Sequence, residues 1–295
     1  MKTLTVFTPS YNRADLLPRC YASMQRQTCK DFIWMIIDDG STDQTQELVT
    51  AWKKEEKEFE IQYYYKENGG LHTAYNEAIA HIETELCVCI DSDDWMPDDA
   101  VEIILDFWER NGSEKYAGIV GLDYTQDGKI IGDPLPNQKT VNLIDLLIGR
   151  YKIQNGDRTN VVRTELYKKL APMQGFSGEK FFNPHYIHLQ ISRDYDFLVM
   201  NECLRYVEYQ EAGMSNSMFH QYKNSPNSFA EIRRLYLSFP GTNFIFRARN
   251  TIHLISSCIL AGKPGMAFRY GNSIYLIIIF FPLGLLLSIL VRIKG

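Results

Sequence analysis

The first hundred residues alternate between short apolar runs and longer segments of helical spacing. Residues 4–8, 33–38, 61–65 and 86–90 are rich in β-branched and aromatic side chains and bounded by polar turns, the pattern of buried strands. Between them, residues 13–27 place Leu16, Leu17, Cys20 and Met24 at helical intervals. Residues 42–58 carry Leu48, Val49 and Trp52 behind Ser41-Thr42-Asp43-Gln44, which reads as a capping box. Residues 70–82 predict a third helix. Residues 97–108 predict a fourth, with Pro97 in its first turn and Asp98 and Asp99 favouring the helix dipole. Strand and helix in alternation predict an α/β fold, a mostly parallel sheet with helices on both faces.

The pattern loosens after residue 111. Residues 118–125 read as a strand closed by a turn at 126–129, 134–139 as a loop, and 159–162 as a further strand. Residues 141–148 and 165–170 look helical. A glycine-punctuated stretch, 174–182, leads into a helical pattern over 188–200, and 204–210 reads as a last strand. No internal repeat or low-complexity segment interrupts the chain. These shifts divide it at 1–111, 112–231 and 232–295, the last a helical extension.

Charge sharpens that last boundary. After Glu231 there are eight basic residues and no acidic one, which leaves the first 231 residues at a net −13 although the whole chain is only −5. Residues 274–291 are 18 positions without a charge. As a helix at about 1.5 Å per residue they reach roughly 27 Å, near the hydrocarbon thickness of a bilayer. Basic flanks at Arg247, Arg249, Arg269, Arg292 and Lys294 suit anionic cytoplasmic lipid. A membrane-associating extension is therefore expected, either spanning or, because Pro282 and Gly284 interrupt the run, lying in the interface. Six cysteines without a Cys-x-x-Cys pair in a chain long enough to bury a large core predict reduced thiols in a cytosolic setting and argue against zinc. The N-terminus reads as a first strand, not a signal peptide. Catalysis is accordingly expected on the cytoplasmic face of the membrane.

The candidate chemistry lies at the strand ends. Each predicted strand runs into a polar or glycine-rich loop: Thr8 to Asn12, Asp38 to Ser41, Glu67 to Gly70, and Asp91 to Asp94. In open α/β sheets ligands bind beyond the carboxyl ends of strands. The last loop, Asp91-Ser92-Asp93-Asp94, crowds three carboxylates into four residues. Such hard oxygen donors suit Mg2+ or Mn2+ sharing its shell with substrate phosphates; a solvated Asp-rich turn would carry the same residues.

Together, Phe7-Thr8-Pro9-Ser10-Tyr11-Asn12-Arg13, Ile37-Asp38-Asp39-Gly40-Ser41-Thr42-Asp43, Glu67-Asn68-Gly69-Gly70 with Ala74-Tyr75-Asn76, and Asp91-Ser92-Asp93-Asp94-Trp95 resemble the family 2 inverting glycosyltransferases of the GT-A fold. The likeness runs over residues 4–213. It implies a UDP-sugar donor, with the backbone of Thr8, Pro9 and Tyr11 framing the base and Asp39 accepting from uracil N3. Asn68 and Gly70 would lie near the nucleotide, Asp91 by the ribose or the metal's surroundings, and Asp93 on the divalent ion. Inversion needs a base for the acceptor hydroxyl. The resemblance places it at Glu179, where an acidic pair has become Glu179-Lys180, with Asp194 and Asp196 as fallbacks. Tyr75 replaces an arginine common in relatives, and His72 is a substitute nucleotide contact or a surface residue. Residues 219–224 are a candidate lid, with His220 or Lys223 reaching the diphosphate, or else a solvated loop. Glu179-Lys-Phe-Phe with Tyr206-Val-Glu-Tyr and Gly213-Met-Ser resembles bacterial capsule and exopolysaccharide enzymes. The implied partners are a UDP-sugar, a polyprenyl-diphosphate-linked saccharide acceptor and the membrane surface, with no nucleic acid.

Two rival readings use the same residues. A catalytically silent saccharide-binding protein on the GT-A fold would keep the loops without the turnover. An Asp-x-Asp phosphotransferase would want its acidic pair after the first strand, whereas here the pair follows the fourth and Trp95 stands two residues after Asp93.

Overall fold

The computed structural model describes residues 3–154, 156–209 and 218–295. They fall into two compact units. The first comprises Met1–Gly69, Thr73–Met173 and Ile187–Glu208; the second comprises Gly70–His72, Gln174–Tyr186 and Tyr209–Gly295.

The first unit begins with strand–helix repetition: β1 (Leu4–Ser10), α1 (Leu17–Gln25), β2 (Phe32–Asp38), α2 (Thr45–Glu55), β3 (Glu60–Tyr65), α3 (Leu71–His81), β4 (Leu86–Cys89) and α4 (Ala100–Asn111). β5 (Tyr116–Thr125), β6 (Thr140–Val141), α5 (Leu143–Leu147), β7 (Arg158–Arg163), α6 (Thr164–Leu170), α7 (His185–Ile191) and β8 (Asp196–Val207) follow. All eight strands form one sheet in the order β3-β2-β1-β4-β7-β5-β8-β6. The first four are mutually parallel, β7 runs antiparallel to both its neighbours, and β8 is parallel to β5. The expected mostly parallel sheet is thus present, with β7 and the two-residue edge strand β6 as the reversals.

β1 is buried along its whole length, as a central strand covered on both faces must be. Alternate side chains serve opposite layers. Val6, Trp34 and Val88 join the core built by Met24 of α1, Trp52 of α2 and Ile104 of α4, where Tyr21 stacks on Trp34 and Trp52. Phe7 points the other way and meets Tyr75 of α3 edge to face at 5.0 Å.

Local corrections to the sequence reading concern ends and one misread segment. The capping box does not form: Ser41 Oγ accepts from the Asn12 amide, and Asp43 takes the Thr45 amide at the start of α2. Pro97 precedes α4, and its carbonyl accepts from Ala100 in the turn that opens the helix. The helix expected over 188–200 ends at Ile191, where the Asp194 and Tyr195 amides turn back onto the Ile191 carbonyl. The run Phe197 to Met200 belongs to β8. A short apolar run reads equally as buried helix or buried strand, so periodicity alone misplaced it. Of the last expected strand, 204–210, residue 210 lies outside the described residues, as does Gly213-Met-Ser.

The second unit is helical: α8 (Met218–Asn224), α9 (Pro226–Leu237), α10 (Phe244–Leu260), α11 (Met266–Tyr270) and α12 (Ile274–Lys294). The position at which acidic residues stop, 231, falls inside α9. Residues 219–224, read as a lid or loop, are helix α8, on which His220 and Lys223 are exposed. α12 continues unbroken through Pro282.

Candidate active site

The parallel register of β1, β2 and β3 brings their carboxyl ends level, and hydrogen bonds stitch the loops beyond them. The Asp39 amide donates to the Ser10 carbonyl at 2.8 Å, and the Lys66 amide to the Asp38 carbonyl at 2.9 Å. Asn12, in the left-handed region at φ 51°, accepts from the Thr42 amide through its side chain. Asp38 is consumed by structure: its carboxylate accepts from the Ser41 amide at 2.7 Å and the Tyr63 hydroxyl at 2.6 Å. Asp39 meets the third loop. Its Oδ1 accepts from Lys66 Nζ at 2.6 Å and the Gly69 amide at 3.0 Å, while Asn68 Nδ2 donates to its carbonyl at 2.7 Å and to Oδ2 at 3.2 Å. Gly40 makes this approach feasible: at φ 82°, a Cβ there would lie 2.7 Å from the Asn68 amide nitrogen. Thr8 is fully buried, and its hydroxyl accepts from Trp34 Nε1 at 3.0 Å, so its side chain is spent on the fold. Tyr11 is exposed.

The acidic loop follows β4 directly. Its conformation is held by Arg205, near the carboxyl end of β8, which reaches Asp91 at 3.2 Å, Asp94 at 3.3 Å and the buried Asp123. Burial alone would lower the guanidinium's pKa; the Asp123, Asp94 and Asp91 carboxylates more than reverse that and keep it charged. One cation serves three anions, so the carboxylates are under-compensated. Burial pushes Asp94 up to about 8 against the pull of Arg205, with Asp91, Asp93 and Asp123 adding to the rise. Asp91 is raised for the same reasons, although 39% of its side chain is open to solvent, which tempers the effect. A second guanidinium seals the rim. Arg19 donates to the Asp93 carbonyl and to Glu208, both at 2.5 Å, and lies 4.1 Å over the Trp95 ring, which stacks on Tyr206.

Asp93 is the exception in this loop. Half-buried between two anchored carboxylates, its own carboxylate makes no hydrogen bond or ion pair among the described residues. An anion left without a partner in a loop otherwise pinned down fits a hard cation. Among the described residues no three His, Cys, Asp or Glu side chains converge to hold an ion alone. Asp93, with an Asp91 oxygen beside it, would therefore supply a minority of the ligands and leave the rest to phosphate and water, the habit of Mg2+ and Mn2+.

Glu179 belongs to the second unit and is almost fully buried. Its Oε1 accepts from the Asn227 amide and side chain at 2.8 and 2.7 Å, and its Oε2 from the Ser228 amide and hydroxyl at 2.8 and 2.6 Å. It thereby caps α9, whose own N-cap residue Ser225 makes no side-chain cap. In the same unit Gly70, at φ 93°, lies where a Cβ would strike the Lys180 carbonyl, and His72 is buried with Phe182 at 6.1 Å. His72 is therefore no surface histidine. Tyr75, in place of the relatives' arginine, is a core residue.

The fallback bases Asp194 and Asp196 lie away from the acidic loop. They stand just before and at the start of β8, level with Tyr116 at the amino edge of the sheet, whereas Arg205 and the acidic loop are at the carboxyl edge. Their partners on the neighbouring strand, Tyr116 for Asp196 and Asp123 for Arg205, are seven residues apart, about 23 Å at the usual rise. Sequence reasoning missed Arg205, Arg19 and Asp123. For Asp123 and Arg205 the signal was charge inside apolar strand patterns, within β5 and β8, whereas Arg19 stands on helix α1, where a charge is ordinary.

A sheet with its ligand loops at the carboxyl edge and an acidic motif after the fourth strand defines a nucleotide-diphosphate-sugar transferase architecture, and the comparisons agree. The model of Glycosyl transferase family 2 matches residues 5–164. The chain belongs to that family and has its GT-A fold. It is 24% identical over 253 residues to a putative teichuronic acid biosynthesis glycosyltransferase, TuaG, of Bacillus subtilis, covering 84% of this chain and 96% of that one. It is 38% identical over 108 residues to an uncharacterized glycosyltransferase of Rickettsia felis, 37% of this chain and only 17% of the relative's length. Among solved structures, S. aureus TarS 1–349 in complex with UDP-GlcNAc superposes with a TM-score of 0.62 at 18% identity, covering 92% of this chain and 77% of that 1–349 chain. The mannosyltransferase PcManGT of Pyrobaculum calidifontis, in complex with GDP-Man and Mn2+, gives 0.59 at 15%, covering 98% and 79%.

Proposed function

We propose that the chain transfers a sugar, with inversion, from a UDP-sugar to a lipid-linked saccharide during bacterial surface-polysaccharide synthesis, at the cytoplasmic membrane face. Asp39 accepts from uracil N3–H, the backbone of Thr8, Pro9 and Tyr11 frames the base, and Asn68 and Gly70 lie along the nucleotide. Asp91 orients the ribose end, and Asp93 holds Mg2+ or Mn2+, which when bound neutralises the leaving diphosphate. Glu179 is the proposed base for the acceptor hydroxyl. TuaG's name supports the polysaccharide setting, and the ligands of TarS and PcManGT support a nucleotide sugar and a divalent ion.

The observation that carries this reading is the unpartnered Asp93 carboxylate beside Asp91 and Asp94, which are anchored on Arg205. The test is UDP release from a panel of UDP-sugars with Mn2+. Release is expected to vanish with a chelator and to fall about a thousandfold in Asp93→Ala, in line with the several kcal/mol a metal contributes to a developing charge. Release indifferent to both would sink the enzyme reading and leave a silent saccharide-binding protein on the same fold.

A further inference from the structure

The second unit carries ten basic and three acidic residues, a net +7, while the first unit is −12. It also carries the chain's main exposed apolar surface. α12 has a mean hydropathy of 2.8 over its apolar window, and among the described residues it is the one helix long and apolar enough to cross a membrane. Only a narrow stripe is buried: Ile277, Gly284, Ser288 and Val291. Gly284 sits so close to α10 that a Cβ there would come within 2.5 Å of Ile255 Cγ2, so α12 is seated along that helix. Its other faces are open, with Ile278 59% and Leu286 53% exposed. The apolar surface continues onto the neighbours: Phe244, at the start of α10, lies 6.2 Å from Phe280, and Phe219 of α8 has Lys294 over its ring.

We infer that α12 lies in the plane of an anionic bilayer surface and does not span the membrane, a refinement that rests on the membrane partner proposed above. Two observations decide against a span. The helix seated along α12 is α10, which carries Arg247, Arg249, Asn250 and His253. Drawing it into hydrocarbon with α12 would cost about 2.5–3.5 kcal/mol per arginine even by the mildest scale. In the interface α10 keeps its polar groups towards protein and water. The second observation is symmetry of charge: Lys263 and Arg269 precede α12, and Arg292 and Lys294 close it. A spanning helix shows an excess of cations on its cytoplasmic side, whereas a helix lying flat meets anionic headgroups at both ends.

The experiment uses the full chain with sedimented vesicles of phosphatidylcholine alone or with about one third phosphatidylglycerol. Binding to the anionic vesicles at least about tenfold stronger, weakened by salt, is expected. Ile279→Glu with Leu286→Glu, both at exposed positions, should abolish binding, and Arg292→Glu with Lys294→Glu should weaken it about tenfold or more. Unchanged circular dichroism and melting would show that these variants fold. Tryptophan placed at Tyr275, Leu283 or Leu290 should be quenched by brominated lipids to one common shallow depth. A deep maximum at Leu283 between shallow ends would mean a span and overturn the inference. So would equal binding to neutral vesicles, no vesicle binding, or an apolar face found sealed in a homodimer that Leu286→Glu dissociates. UDP release measured without vesicles reports separately on the donor reading.

Discussion

At the residue scale the sharpest question is Glu179, because one side chain carries two assignments. All four of its hydrogen bonds go to the first turn of α9, and a base must have a lone pair to accept the acceptor's proton. Glu179→Gln separates the roles. As the base, kcat per folded molecule should fall by about 10²–10⁴. As a cap alone, kcat should hold while the variant loses about 1–3 kcal/mol in urea unfolding, since an amide nitrogen then faces amide donors. Residue-scale legibility followed the same line. Asp39 and Asp93 were readable because each stands in a loop where apolar patterning stops. Arg205 was not, because its partners come from β4's loop and β5, and only the folded sheet makes them neighbours.

At the scale of elements, the four opening strands were legible from β-branched runs bounded by turn residues, and they were found within two residues of their expected ends. The region after residue 111 was harder, since β7 pairs antiparallel between strands far away in sequence and local patterning holds no record of such partners. The packing of α8 on α10 brings its own prediction. His253 of α10 has its pKa pushed down to about 4, first by burial, then by Arg233 and Arg249. The Tyr222 hydroxyl lies 3.2 Å from its Nδ1 and donates to its carbonyl. A histidine with a depressed folded value leaves stability intact above its unfolded pKa near 6.5 and withdraws it as pH falls through about 4. The helical unit should therefore lose up to about 3 kcal/mol between about pH 7 and pH 4. His253→Gln should flatten that slope in urea midpoints measured across the range.

At the scale of the whole molecule, the chain segregates charge. The sheet unit carries a net −12, with Arg205, Arg19 and Lys66 answering carboxylates at its ligand loops, and the helical unit a net +7. The sequence showed this asymmetry but set its boundary at the last acidic residue, inside α9. The structure begins the second unit's main segment at Tyr209, because packing follows apolar faces and takes no account of where carboxylates end. The same apolar faces separate two fates for 274–291 that hydropathy alone left open: a stripe seated on α10 is visible only once α10 is there to receive it.

Arg205 gives the acidic loop a permanent resident counter-ion, so its shape is written into the fold and does not depend on the ionic composition of the surroundings. Chelation should strip activity without loosening the loop. When Mn2+ is added back, UDP release should resume at full rate with no lag, as a stopped-flow trace would record; a slow recovery phase would mean that the cation builds the loop instead of occupying it.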